Sequence, residues 1–213
     1  TLENGGWVVL WRSHLQGAQG YSLQQQIYAA DGGKIGGETK VGDTSASSAT
    51  FHKLAALPDG GWLVTWVAPD GSGPGIHQQI YNAAGLPVGS TVRVNTYTLD
   101  EQTDPHVGVL KDGGWIVAWE SSGQDGSLHG VYLQRYSSFG AKVGGESQVN
   151  STTQGSQVDA RIVALDDGGW VVVWTSVGQD GSGKGVYQQR YGADGNRIGS
   201  EQRVNTHVAA DQS

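Results

Sequence analysis

The chain repeats itself four times, and that repetition limits its fold more than any other feature. Aligned on "GGW", tryptophans fall at Trp7, Trp62, Trp115 and Trp170, spaced 55, 53 and 55 residues apart. A tyrosine that ends a later apolar segment recurs at Tyr28, Tyr81, Tyr136 and Tyr191, spaced 53, 55 and 55. Two independent markers with one period define a tandem repeat. Such a chain must bury its apolar faces by stacking copies of one supersecondary unit.

Each full unit reads as four short strands. The first is "HKLAAL", "HVGVL" or "ARIVAL", and the second, after a "DGG" turn, is "WLVTW", "WIVAW" or "WVVVW". Asp and Gly supply the positive-φ positions that a tight hairpin needs. A Gly/Asp/Ser loop leads to "GIHQQIY", "GVYLQRY" or "GVYQQRY", and the unit closes on "VRVN", "SQVN" or "QRVN". No segment carries the 3.6-residue apolar period of a helix. The expected fold is all-β: a β-propeller of four-stranded antiparallel blades. Divided at each turn, the repeats span 1–57, 58–110, 111–165 and 166–213, and the first lacks its opening strand.

The paired tryptophans fit this architecture. Trp170 and Trp174 lie four apart on a period-two strand and so share a face, while Val171 and Val173 fill the other. Each blade is expected to press two rings against its neighbour. The phase adds an expectation. The chain opens inside a turn and closes on "HVAADQS", where another first strand would begin. This favours a fragment of a longer array over a ring completed by both termini.

Composition narrows the function classes. The net charge is −7 and the 13 basic residues are scattered, which argues against a phosphate backbone as partner. The absence of cysteine excludes disulfides, thiolate metal sites and a cysteine nucleophile together. No apolar run approaches the roughly 18 residues of a membrane-spanning helix, so membrane insertion is not expected.

The segment "GGWVVVWTSVGQDGSGKGVYQQRYGADGNRIGSEQRVNT" resembles the tandem Trp-rich repeats of large RTX-type, type I-secreted bacterial proteins, which include adhesins and hydrolases. The likeness runs over nearly the whole chain. It implies a secreted or cell-surface location, calcium-rich surroundings and neighbouring domains in a longer chain. The calcium-binding nonapeptide GGxGxDxux of that class is missing here, so its calcium sites do not carry over.

Candidate site residues fall into two sets. Asp70, Asp125 and Asp180 occupy equivalent places in "PDGSG", "QDGSL" and "QDGSG" and are candidate calcium ligands. Each loop offers one carboxylate, against the roughly 6–8 oxygens calcium takes. Residues that differ between copies, near the end of the second strand and the following loop, are the candidates for specificity: Arg12, His14, Glu120, His129, Thr175 and Lys184. Gln26, Gln79, Gln134 and Gln189 recur in every copy, where a glutamine satisfies neighbouring backbone groups or meets a sugar hydroxyl. No HExxH, GxSxG or P-loop pattern occurs, and Glu120 alone makes no acid–base pair. The function expected is therefore a non-catalytic binding or adhesion module for a carbohydrate or cell surface. A structural spacer repeat and an accessory domain of a secreted hydrolase are the alternatives.

Overall fold

The computed structural model describes residues 1–14, 21–44, 51–208 and 211–212. Its regular structure is β-strand throughout, arranged as four antiparallel sheets. Blade 1 holds β1 (Trp7–His14), β2 (Tyr21–Tyr28) and β3 (Lys34–Thr44). Blade 2 holds β4 (His52–Ala56), β5 (Trp62–Pro69), β6 (Pro74–Tyr81) and β7 (Pro87–Arg93). Blade 3 holds β8 (Gln102–Val109), β9 (Trp115–Ser122), β10 (His129–Tyr136) and β11 (Lys142–Gln148). Blade 4 holds β12 (Gln157–Ala164), β13 (Trp170–Val177), β14 (Lys184–Tyr191) and β15 (Arg197–Arg203). Strands pair in chain order within every blade, which is the meander of a propeller. First strands pack together, β8 against both β4 and β12, and the last strands form the exposed rim.

The "DGG" turn has a physical reason at each letter. Gly60 sits at φ 81°, in the left-handed region where a Cβ is strained. A Cβ on Gly61 would lie 2.3 Å from the Tyr81 carbonyl oxygen, so the second glycine is needed for close approach. Asp59 Oδ1 accepts the Gly61 N–H at 3.0 Å and locks the turn. The tryptophan that follows then stacks on the tyrosine opposite it, with Trp62 and Tyr81 ring centroids 5.4 Å apart.

The recurring glutamine has a backbone role. Pairing between the third and fourth strands slips at Gln79, leaving carbonyls without ladder partners. Gln79 Nε2 donates to the Ile80 and Val88 carbonyls at 2.9 and 3.2 Å. Gln26, Gln134 and Gln189 repeat this clamp and are buried, which leaves no room for a sugar hydroxyl at their amides.

Blades join through the tryptophan faces, as expected. Trp115 and Trp119 of blade 3 pack on Leu63, Val67 and Ile76 of blade 2. Trp170 and Trp174 of blade 4 pack on Ile116, Ala118 and Leu133 of blade 3. All four rings are fully buried. Burying large aromatics this way is the dominant favourable term in stacking one blade on the next.

Candidate functional site

Two bulges on the first strands aim carboxylates at one place. The pairing of β8 with β9 shifts between Thr103 and His106, and that of β12 with β13 between Val158 and Arg161. Asp104 and Asp159, at equivalent positions within these bulges, take φ values of 43° and 59°. Aspartate tolerates this region because its short side chain bonds locally. Glu120, near the end of β9, faces blade 4 from between them. One oxygen from each of Asp104, Glu120 and Asp159 lies within 4.8 Å of the others.

The three acids differ in setting. Asp104 is 6% exposed and faces the Arg161 guanidinium at 3.5 Å. Asp159 is exposed, and its backbone N–H donates to Glu120 Oε1 at 2.7 Å. Burial, joined by the charges of Asp104 and Asp159, pushes the Glu120 carboxyl up to about 7, against the opposing pull of that hydrogen bond and of Arg161. His106 lies beneath, with Nδ1 accepting the Ile162 N–H at 3.3 Å across the blade junction. Burial, with Arg161 and Lys53 adding to it, lowers this imidazole to about 4, so it is neutral at physiological pH.

Asp159 and Arg161 also line an open recess of about 350 Å³, together with Val173, Trp174, Thr175 and Val186. The site thus pairs a carboxyl that holds its proton near neutrality with an exposed carboxylate beside an open recess. That is acid–base equipment. Three clustered carboxylates are also the oxygen donor set of a hard cation.

The structure distributes the residues chosen from sequence. Glu120 is central, and Thr175 lines the adjoining cavity. Arg12 and His14 instead form a separate group on blade 1, with the guanidinium 3.4 Å above the Tyr21 ring and the imidazole edge-on to it at 5.0 Å. His129 bridges to Ser156 through its backbone, and the Lys184 backbone N–H donates to Asp211 Oδ1 at 3.0 Å. Asp70, Asp125 and Asp180 sit in three separate loops, where their Oδ1 atoms accept the N–H of Ser72, Ser127 and Ser182. Asn95 Nδ2 binds Asp70 and Gln148 Nε2 binds Asp125, each at 3.1 Å.

Asp104 and Asp159 were not among the residues chosen from sequence. The available signal was "Gln-x-Asp", present as Gln102–Asp104 and Gln157–Asp159 in two copies.

No protein-family model and no curated protein matches the chain. Solved structures do. A thermostable family-43 glycoside hydrolase aligns with a TM-score of 0.51 at 8% identity, over 99% of this chain and 77% of that one. An endo-arabinase from Bacteroides thetaiotaomicron aligns at 0.49 with 12% identity, over 97% and 82%. An endo-1,4-beta-xylanase from the same organism aligns at 0.48 with 12% identity, over 97% and 77%. At these identities the likeness is one of fold. The expectation of a non-catalytic binding or adhesion module is corrected here: the chain shares its fold with a family-43 glycoside hydrolase, and this chain itself carries an acid cluster that adhesion does not require. Sequence could not reveal this, because Asp104 is brought to Glu120 by a slip in the β8–β9 pairing and Asp159 only across a blade junction.

Proposed function

We propose that the chain is the propeller of a carbohydrate-active hydrolase, cleaving glycosidic bonds at Asp104, Glu120 and Asp159. One observation carries the reading. Glu120 holds its proton to about pH 7 while sharing a site with an exposed carboxylate. Glycoside hydrolysis needs such a pair, one carboxyl to protonate the leaving oxygen and one to meet the anomeric carbon. The fold shared with a family-43 glycoside hydrolase supports it.

The residues divide the chemistry as follows. Glu120 gives its proton to the glycosidic oxygen as the bond to the anomeric carbon breaks. The exposed Asp159 carboxylate, which lines the recess, bonds to that carbon. Water then displaces Asp159 and passes its proton to Glu120, which releases the sugar and restores both groups. Asp104, buried against Arg161, keeps negative charge beside Glu120 and so keeps its proton in place.

A panel of aryl glycosides and plant and bacterial polysaccharides tests this, read as released phenol or reducing ends. Turnover of at least one member, lost in Glu120→Gln and Asp159→Asn with melting temperatures retained, is the expected result. Turnover that survives Glu120→Gln, or none on any member, would overturn it.

A further inference from the structure

We infer that this chain docks head to tail on a second copy of itself, the blade 1 face of one against the blade 4 face of the other. Within one chain the core clusters join blades 1 and 2, 2 and 3, and 3 and 4, and among the described residues none joins 4 to 1. Two blade faces are therefore left without a neighbour. They are the two halves of an interface the chain already makes three times.

The apolar layer shows this first. Val64, Val117 and Val172, between the tryptophans of blades 2, 3 and 4, are all 0% exposed. Their counterpart Val9 on blade 1 is 41% exposed, between half-buried Trp7 and Trp11. At the other end, Ile116 and Ala118 of blade 3 are covered by blade 4. Their counterparts Val171 and Val173 are only half-buried, and Val163 beside them is 54% exposed.

Polar contacts between blades follow the same code. Glu146 of blade 3 accepts from Thr96 N–H and Oγ1 of blade 2, at 2.6 and 2.9 Å. Glu201 of blade 4 repeats this with Ser151 of blade 3, at 2.6 and 2.8 Å. Counting along the repeat from the recurring tyrosine, blade 1 carries Glu38 at this place, and the partner position after blade 4 is Thr206. Likewise Lys142 and Arg197 donate to the Val94 and Val149 carbonyls of the preceding blade, both at 2.9 Å. The corresponding pair is Lys34 and Val204.

The rings agree. Trp62 Nε1 donates to Gln25 Oε1 at 3.1 Å, and Trp115 Nε1 to Gln78 Oε1 at 3.2 Å. Gln188 is the matching acceptor on the open face of blade 4, for Trp7 of the second copy. Arg135, tied to Asp112, stands 5.4 Å over Trp170 of the next blade. Arg190 holds the same posture against Asp167 at 2.6 Å, and among the described residues no further blade lies beneath its guanidinium.

Both faces are thus complementary in apolar area, charge and hydrogen bonding to each other, and a second copy presents both. A head-to-tail contact of this kind closes a ring of two copies, with eight blades, or propagates if the rotation does not close. Val173 belongs both to this face and to the lining of the recess beside Asp159, so docking narrows that recess.

Light scattering of the 213-residue chain tests the inference. A mass of twice 22.4 kDa or more is expected. Thr206→Glu sets two carboxylates against each other and should return a single-copy mass. Adding Glu38→Lys to it should restore association. Trp7→Ala should also return a single-copy mass with an unchanged circular-dichroism spectrum. A single-copy mass for the unaltered chain would overturn the proposal. So would an associated mass that survives both Thr206→Glu and Trp7→Ala.

Discussion

The Asp159 backbone N–H on blade 4 donates to Glu120 Oε1 on blade 3 at 2.7 Å, so the bond that ties two blades together also positions the acid at the candidate site. It draws the Glu120 carboxyl down, and burial with two neighbouring carboxylates outweighs it. Stability and protonation are linked through that balance. Because the folded value lies near 7 against the ordinary 4.5, the folded chain holds a proton that the unfolded chain has lost. The stabilisation is complete below 4.5 and disappears as pH rises through about 7. Glu120→Gln should remove this decline, and thermal melts on both sides of neutrality will show whether the variant overtakes the parent at alkaline pH.

His106 has the opposite sign. Its folded value near 4 lies below the ordinary 6.5, so its contribution is present above 6.5 and lost as pH falls toward 4. Protonation would also end acceptance of the Ile162 N–H at Nδ1. His106→Gln should flatten the acid side of the melting-temperature profile. A variant that loses stability in acid as steeply as the parent would show that this imidazole is not the group responsible.

The tryptophan faces make a comparative prediction. Trp115→Ala removes a fully buried ring and should cost about 3–5 kcal/mol in urea unfolding. Trp7→Ala, made in the Thr206→Glu background where docking is broken, should cost within about 1 kcal/mol, because that ring is half-buried in a single copy. Equal losses at both positions would contradict the assignment of covered and open faces.

Much of the fold was legible because each unit states its own structure. Period-two apolar residues mark the strands, "DGG" marks a turn with a steric need for both glycines, and the repeated glutamine clamps a bulge. Asn95, the last residue of "VRVN", joins blades as well: its Oδ1 accepts the Ile76 N–H at 2.8 Å and its Nδ2 donates to Gln102 Oε1 of the next blade at 3.0 Å. Gly42 replaces it in blade 1 because a Cβ there would sit 2.6 Å from the Trp66 ring.

The site was far less legible. Glu120 stood out because it differs from Arg12, Val67 and Thr175 at the same repeat position. Its partners did not, since Asp104 and Asp159 lie 16 and 39 residues away along the chain and recur in two copies only. Bulges at Thr103 and Val158 turn them toward Glu120, and no residue pattern announces where pairing will slip. Asp104 shares blade 3 with Glu120, but Asp159 reaches it only across the junction with blade 4, and a repeat describes what lies within one blade.

The most direct measurement is a carboxyl-carbon NMR titration of Glu120 in the folded chain. The midpoint should lie near 7, and Asp159→Asn, by removing one neighbouring negative charge, should bring it down toward the ordinary value. A midpoint near 4.5 in the parent would mean that Glu120 is ionised at neutral pH and has no proton to give.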